Sequence, residues 1–187
     1  MQVQLFGELR IRIGEQLVEV ESSRARSLIG YLLLEPDDVQ SRERVAFALW
    51  PESTDAQART NLRKTLHGLR RSSPDFDSLI EVTPRTLRWR RERTDVVDVD
   101  AFRAALAAAE AATSGDSRCH ALELADHHYH GSLLVDCWDE WVVEHRERCR
   151  DQHLSAIRQL ADAYATQGEL EQAVRVGQEV LLSLIHI

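Results

Sequence analysis

Apolar positions recur along this chain with two periods, and the change from one period to the other marks its elements. Val3, Leu5, Leu9, Ile11 and Ile13 alternate with polar residues, Gly7 and Gly14 punctuate them, and Leu17, Val18 and Val20 continue the pattern. Alternation predicts short strands, hence a small antiparallel sheet with one buried face. A period near 3.6 follows. Ser22 or Ser23 can cap a helix carrying Ala25, Leu28, Ile29, Leu32 and Leu33, which Glu35-Pro36-Asp37-Asp38 ends. Ser41 can cap a second helix, with Glu43 in its first turn, where a carboxylate suits the helix dipole. Its apolar stripe is Val45, Ala46, Leu49 and Trp50, and Pro51 stops it. Thr54 or Asp55 opens a third helix, in which Ala58, Leu62, Leu66 and Leu69 fall within about 40° of one another. Ser72-Ser73-Pro74 ends it. Residues 79–82 and 86–90 then read as two strands joined at Thr83-Pro84-Arg85, a β-hairpin.

The pattern changes again at Thr94. From Asp98 onward the chain reads as Ala-rich helix with Phe102, Ala105, Leu106 and Ala109, broken at Thr113-Ser114-Gly115-Asp116. Ala121, Leu122, Leu124 and Ala125 mark another helix ending near Gly131. A long one runs from about Asp136 to Gly168, and a last one carries Leu170, Ala173, Val174 and Val180. Helix pairs with Ala, Leu and Tyr at regular spacing, clearest over residues 160–173, suggest a tetratricopeptide-like array. The fold class expected is therefore α+β: a winged helix at the N-terminus, then an all-α helical domain. The domains expected are residues 1–94 and 95–181.

Charge divides the same way. The 187 residues carry a net −8, which taken whole argues against a phosphate-binding protein. Residues 1–94 hold 16 basic and 14 acidic side chains, net +2, and residues 95–187 hold 7 and 17, net −10. Within the third helix, Gln57, Thr60, Lys64, His67 and Arg71 oppose the leucine stripe, and Arg63 and Arg70 flank them. From Gln57 to Arg71 there are five basic residues and no acidic one. The hairpin adds Arg85, Arg88, Arg90, Arg91 and Arg93. A solvated helix face can also be basic, but here two adjacent elements are basic in an acidic chain. Arginine and lysine neutralise phosphates, while arginine and polar side chains read base edges. Gln57, Thr60, Arg63, Lys64 and His67 are thus candidates to face the groove of duplex DNA. Arg59, Arg70, Arg71, Arg85 and Arg88 are candidates for its phosphates. The acidic helical half is expected to face protein. The rival reading is a tetratricopeptide-like protein-interaction scaffold that does not bind DNA.

Leu5-Phe6-Gly7-Glu8-Leu9, then Ser41-Arg42-Glu43-Arg44 with Leu49-Trp50-Pro51, then the whole run from Ala58 to Arg71 resemble the Streptomyces antibiotic regulatory protein (SARP) family. The pattern continues through Val97-Asp98-Val99-Asp100-Ala101-Phe102 and Gly131-Ser132-Leu133-Leu134-Val135-Asp136. That resemblance implies an OmpR-type winged helix joined to a bacterial transcriptional activator domain of tetratricopeptide-like helices. It further implies a transcriptional activator that binds direct repeats in promoters, as a homodimer on the DNA, and recruits RNA polymerase. The third helix would be the recognition helix, residues 85–88 would lie on the wing, and loop 51–54 would face the polymerase.

Other chemistry has weaker support. His120, His127, His128 and His130 with Cys119 lack the ordered spacing of metal ligands and read as polar residues at a helix end. Trp138 and Trp141, three apart, read as core, and Asp136, Asp139, Glu140 and Glu144 as a solvated helix face. There is no Gly-Lys-Ser/Thr phosphate loop. No catalytic residue, metal or cofactor is expected, and the protein is read as not an enzyme. Three cysteines without CxxC spacing imply no disulfide framework and fit a reducing cytoplasm. No apolar run is long enough for a membrane. Finally, Leu182-Ser183-Leu184-Ile185-His186-Ile187 is what a transposase-end adapter used in sequencing libraries encodes. Residues 182–187 are expected to be a non-native tail, and the activator domain to be incomplete.

Overall fold

The computed structural model describes residues 1–35, 37–72, 76–92 and 94–185, with side chains as far as residue 178. Pro36, Ser73, Pro74 and Arg93, and the last two residues of the expected tail, lie outside the described residues. The chain divides into two compact units: Met1–Val96 with Leu133–Arg146, and Val97–Ser132 with Glu147–Ile187.

The first unit opens with β1 (Gln2–Gln4), β2 (Arg10–Ile13) and β3 (Gln16–Val18). They are antiparallel, with Val3 opposite Ile11 and Ile11 opposite Val18. Val3, Leu5, Leu9 and Ile11 form the buried face, as the alternation predicts. Ile13 and Leu17, on either side of the Gly14 turn, do not follow them and are exposed. Gly14, at φ +59°, makes that hairpin turn possible.

Helix α1 (Ser23–Leu34) is capped by Ser22, whose hydroxyl accepts from Ala25 N. It is buried on nearly every side, not along one stripe, since residues 27–34 are all inside. The reason is the segment Leu133–Arg146, which packs on it. A Cβ at Gly30 would stand 2.5 Å from Leu134 Cδ1 and 3.4 Å from Trp141 Cη2, so any larger residue there would push the Leu134 side chain aside. Phe6 bridges Leu133, and Leu134 N donates to Leu5 O at 2.8 Å. Arg146 closes the turn by donating to the carbonyls of Leu133, Leu134 and Cys137.

A strand that periodicity did not indicate, β4 (Val39–Ser41), leads into α2 (Arg42–Leu49). Ser41 caps α2 as expected, its hydroxyl accepting from Arg44 N at 3.1 Å. Helix α3 (Asp55–Ser72) begins at Thr54, which accepts from Gln57 N and Ala58 N, and it buries Ala58, Leu62, Leu66 and Leu69. A single turn, α4 (Phe76–Leu79), precedes β5 (Ile80–Val82) and β6 (Thr86–Trp89). The hairpin lies in a three-stranded sheet of order β4-β6-β5. Strand β7 (Val96–Val97) extends the first sheet beside β1. Sheet, three helices and terminal hairpin make this unit a winged helix.

In the second unit, α5 (Asp98–Ala111) and α6 (Gly115–His128) are followed by α7 (Glu140–Gln167) and α8 (Leu170–Ile185). Ser114 caps α6, and Gly168 at φ +83° separates α7 from α8. The core joins Ala109, Cys119, Leu122, Ile157, Leu160, Tyr164 and Val176. Tyr164 donates to Glu123, and burial together with that carboxylate pushes its pKa up to about 12. His153 meets Asp126 at 2.7 Å and stacks on Tyr129.

Two expectations for the segment before α7 are corrected. Trp138 is not core: it is 88% exposed, because the helix starts at Glu140 and leaves Trp138 in the preceding loop. Asp136 and Asp139 are likewise not on a helix face. They pair with Arg26 and Arg24 of α1, each at 2.5 Å.

Candidate nucleic-acid interface

Helix α3 is held by one side and open on the other. With the leucines inward, Gln57, Lys64, His67 and Arg71 are exposed and Thr60 is half-buried. Gln57 Nε2 donates to Asn61 Oδ1 at 2.8 Å, and Thr60 Oγ1 donates to the Ala56 carbonyl at 2.9 Å, so both are oriented along the helix. This face carries no carboxylate.

The flank of α3 is different. Arg59 meets Glu43 of α2 at 3.1 Å, and Arg70 meets Asp77 of α4 at 2.9 Å while lying over the Phe76 ring. Arg63 faces a cleft of about 640 Å³ between α2, α3 and the wing turn, lined by Ser41, Arg42, Glu43, Arg59, Leu62, Arg63, Pro84 and Arg85. Four arginines and one carboxylate make this cleft strongly positive. The ten candidate side chains are therefore brought together in part. Arg59, Arg63 and Arg85 share the cleft, Gln57, Thr60, Lys64, His67 and Arg71 share the open face, and Arg70 is tied to α4.

Arg88 stands apart from these. It sits in the middle strand of its sheet, opposite Glu81 on one side and Val39 on the other, and not at the wing tip. The tip itself is fixed by Thr83. Its hydroxyl accepts from Thr86 N at 2.9 Å and Arg85 N at 3.2 Å, and its amide donates to Thr86 O at 3.0 Å. Leu87 and Trp89 anchor the strand beneath. Arg85 is thus a cation on a stiff turn.

The residue that sequence reasoning missed is Arg42. Its amide donates to Arg85 O at 2.9 Å and its guanidinium to Thr83 O at 3.1 Å, so it ties the wing turn to the start of α2. Burial, with Arg63 and Arg70 nearby, lowers its pKa from the ordinary arginine value. A signal was present. A cation in the first helical turn opposes the dipole, which favours anions there, so Arg42 is placed against its local preference.

The histidines do not form a comparable site. His127 and His128 close α6, with rings 5.6 Å apart, and His130 lies 6.1 Å from His127. Burial and these two neighbours lower the pKa of His128. His120 instead faces Glu123 at 3.8 Å, and Cys119 is in the core. Among the described residues no group of three or more His, Cys, Asp or Glu side chains could hold a metal ion. All three cysteines are buried free thiols. No described helix is long and apolar enough to cross a membrane.

Residues 97–183 match the family model of the bacterial transcriptional activator domain. Among solved structures, the chain is similar to EmbR of Mycobacterium tuberculosis in complex with a low-affinity phosphopeptide, with a TM-score of 0.65 at 18% identity. The match covers 98% of this chain and 59% of that one, so the chain spans about three fifths of EmbR's length. No curated protein sequence matches. Residues 97–183 thus match the bacterial transcriptional activator domain, and with the winged helix before it the chain shares its fold with EmbR.

Proposed function

We propose that the protein is a sequence-specific DNA-binding transcriptional activator. Helix α3 enters the major groove, where Gln57, Thr60, Lys64 and His67 meet base edges. Arg63 stands between groove and backbone. Arg59, Arg70, Arg71, Arg85 and Arg88 take phosphates, and the helical unit, net −6 with 6 basic and 12 acidic residues, faces protein. The partners in this reading are duplex DNA carrying promoter direct repeats, a second copy of the chain on that DNA, and RNA polymerase. The single observation that carries it is the carboxylate-free outer face of α3 beside a cleft with four arginines.

The test is binding of labelled duplex DNA of random sequence, followed by fluorescence anisotropy as salt is raised. If roughly five phosphates are neutralised, log affinity falls against log salt with a slope of about −4 to −5. Affinity independent of salt, or no binding at low salt, would refute the reading and leave a protein-interaction scaffold. Selection from a random DNA pool would then define the operator and show whether it repeats.

A further inference from the structure

The positive cleft contains one carboxylate, and it is paired with a cation expected to meet DNA. Glu43 Oε1 lies 3.1 Å from Arg59 Nη1, and Arg59 also donates from Nε to the Asp55 carbonyl at 3.2 Å. Both partners of the ion pair are exposed, Glu43 at 80%. Both also line a hollow of about 340 Å³ beside Phe47 and Trp50, so the pair stands on the wall that the two concavities share. Beside it, burial first and then the nearby Arg63 and Arg70 lower the pKa of Arg42.

We infer that Glu43 is an internal counterion that holds Arg59 in the free protein and that a DNA phosphate must displace. The inference rests on the DNA-binding reading above. A carboxylate presents the same two-oxygen acceptor to a guanidinium as a phosphodiester does. While Glu43 occupies Arg59, one of the four clustered cations is neutralised and the free protein is less prone to hold stray polyanions. When DNA arrives, Arg59 exchanges Glu43 for phosphate, and Glu43, then unpaired beside a polyanion, takes up a cation from solution. That uptake offsets part of the counterion release that drives binding. Glu43 thereby lowers affinity and flattens its salt dependence.

The test uses the full chain and fluorescein-labelled duplex DNA of random sequence, at KCl from about 50 to 200 mM. Four proteins are compared: wild type, E43Q, E15Q and the double variant E43Q/R59M. Glu15 is exposed in the β2–β3 turn and controls for net charge alone. The expected result is that E43Q binds about two- to fivefold tighter than wild type at the low end of salt. Its slope should be steeper by about 0.9, the share of one further released counterion. E15Q should match wild type, and E43Q/R59M should lose the gain. The proposal is overturned if E43Q binds no tighter than E15Q, or if the gain survives without Arg59. Wild-type protein that does not bind DNA would overturn the function itself, so the two failures are distinguishable.

Discussion

Replacing Asp139 by Ala should destabilise the winged-helix unit by about 2–4 kcal/mol, although Asp139 lies outside its N-terminal stretch of sequence. The magnitude follows from what the carboxylate holds. It is 15% exposed and accepts from Arg24 Nη1 at 2.5 Å, from Ser27 Oγ, and from Trp141 Nε1 at 3.3 Å. Arg24 is half exposed, so its ion pair contributes about 0–1 kcal/mol. Ser27 is buried in α1, and a buried hydroxyl on a charged acceptor contributes about 1.5–3 kcal/mol. The indole N–H is shared with Ser27 Oγ, also at 3.3 Å, so it adds less than a full hydrogen bond. Alanine leaves Ser27 without its acceptor and Trp141 with Ser27 Oγ alone, while Asp139→Asn, which still accepts, should fall between. The assay is urea unfolding followed by tryptophan emission. Trp50, Trp89, Trp138 and Trp141 all belong to the first unit, so the signal reports that unit alone. A change below about 0.5 kcal/mol, the range of ordinary surface substitutions, would refute the assignment of residues 133–146 to this unit.

Arg85→Ala should weaken DNA binding almost equally across sequences and reduce the salt slope by about 1, whereas Lys64→Ala, if Lys64 reads a base, should cost about 1–3 kcal/mol and relax preference at one position. Anisotropy on selected and random duplexes separates the two, and an unchanged slope for Arg85→Ala would remove it as a phosphate contact. Gly30→Ala would gain about 1 kcal/mol of helix propensity but crowd Leu134, at a cost of about 1–3 kcal/mol. Tryptophan-monitored unfolding should therefore show no net gain, and a variant stabilised by the full propensity term would contradict the packing. Tyr164, raised from 10 to about 12, contributes stability that is complete below pH 10 and lost as pH climbs toward 12. Tyr164→Phe should cost about 1–2 kcal/mol at neutral pH and flatten that alkaline decline, as read by far-ultraviolet circular dichroism.

Local chemistry made much of the fold readable. Ser22, Ser41 and Thr54 cap the helices that their neighbours' periodicity predicts, because a hydroxyl on an orphan amide depends only on nearby sequence. The leucine stripe of α3 and the Thr83-centred turn are legible for the same reason. What escaped is tertiary. Nothing periodic announces that Leu133–Arg146 returns to α1, and Gly30 is its one local trace: a glycine inside an apolar helix, where alanine would serve unless something approached closely. Trp138 and Trp141 were paired by spacing, but the helix begins between them, so Trp141 packs on Tyr31 while Trp138 faces solvent. Arg42 and Glu43 were legible only as a basic and an acidic residue in one helical turn. Their meaning appears once α3 and the wing turn are placed beside them.

The same return of the chain changes how its charge should be understood. Counted by fold unit, the winged helix has 17 basic and 19 acidic residues, net −2, not the +2 of its N-terminal stretch. A net negative unit can still hold DNA, because phosphates within about 10 Å feel individual charges and not the sum. Two of the added carboxylates, Asp136 and Asp139, are neutralised by Arg26 and Arg24 on α1. The face of α3 stays free of carboxylates, and the cleft beside it concentrates Arg42, Arg59, Arg63 and Arg85 against Glu43 alone. Segregation of charge, and not its total, is therefore the quantity that decides whether this fold can read DNA. On that measure the carboxylate that counts in this unit is Glu43, the one acidic side chain lining the cleft.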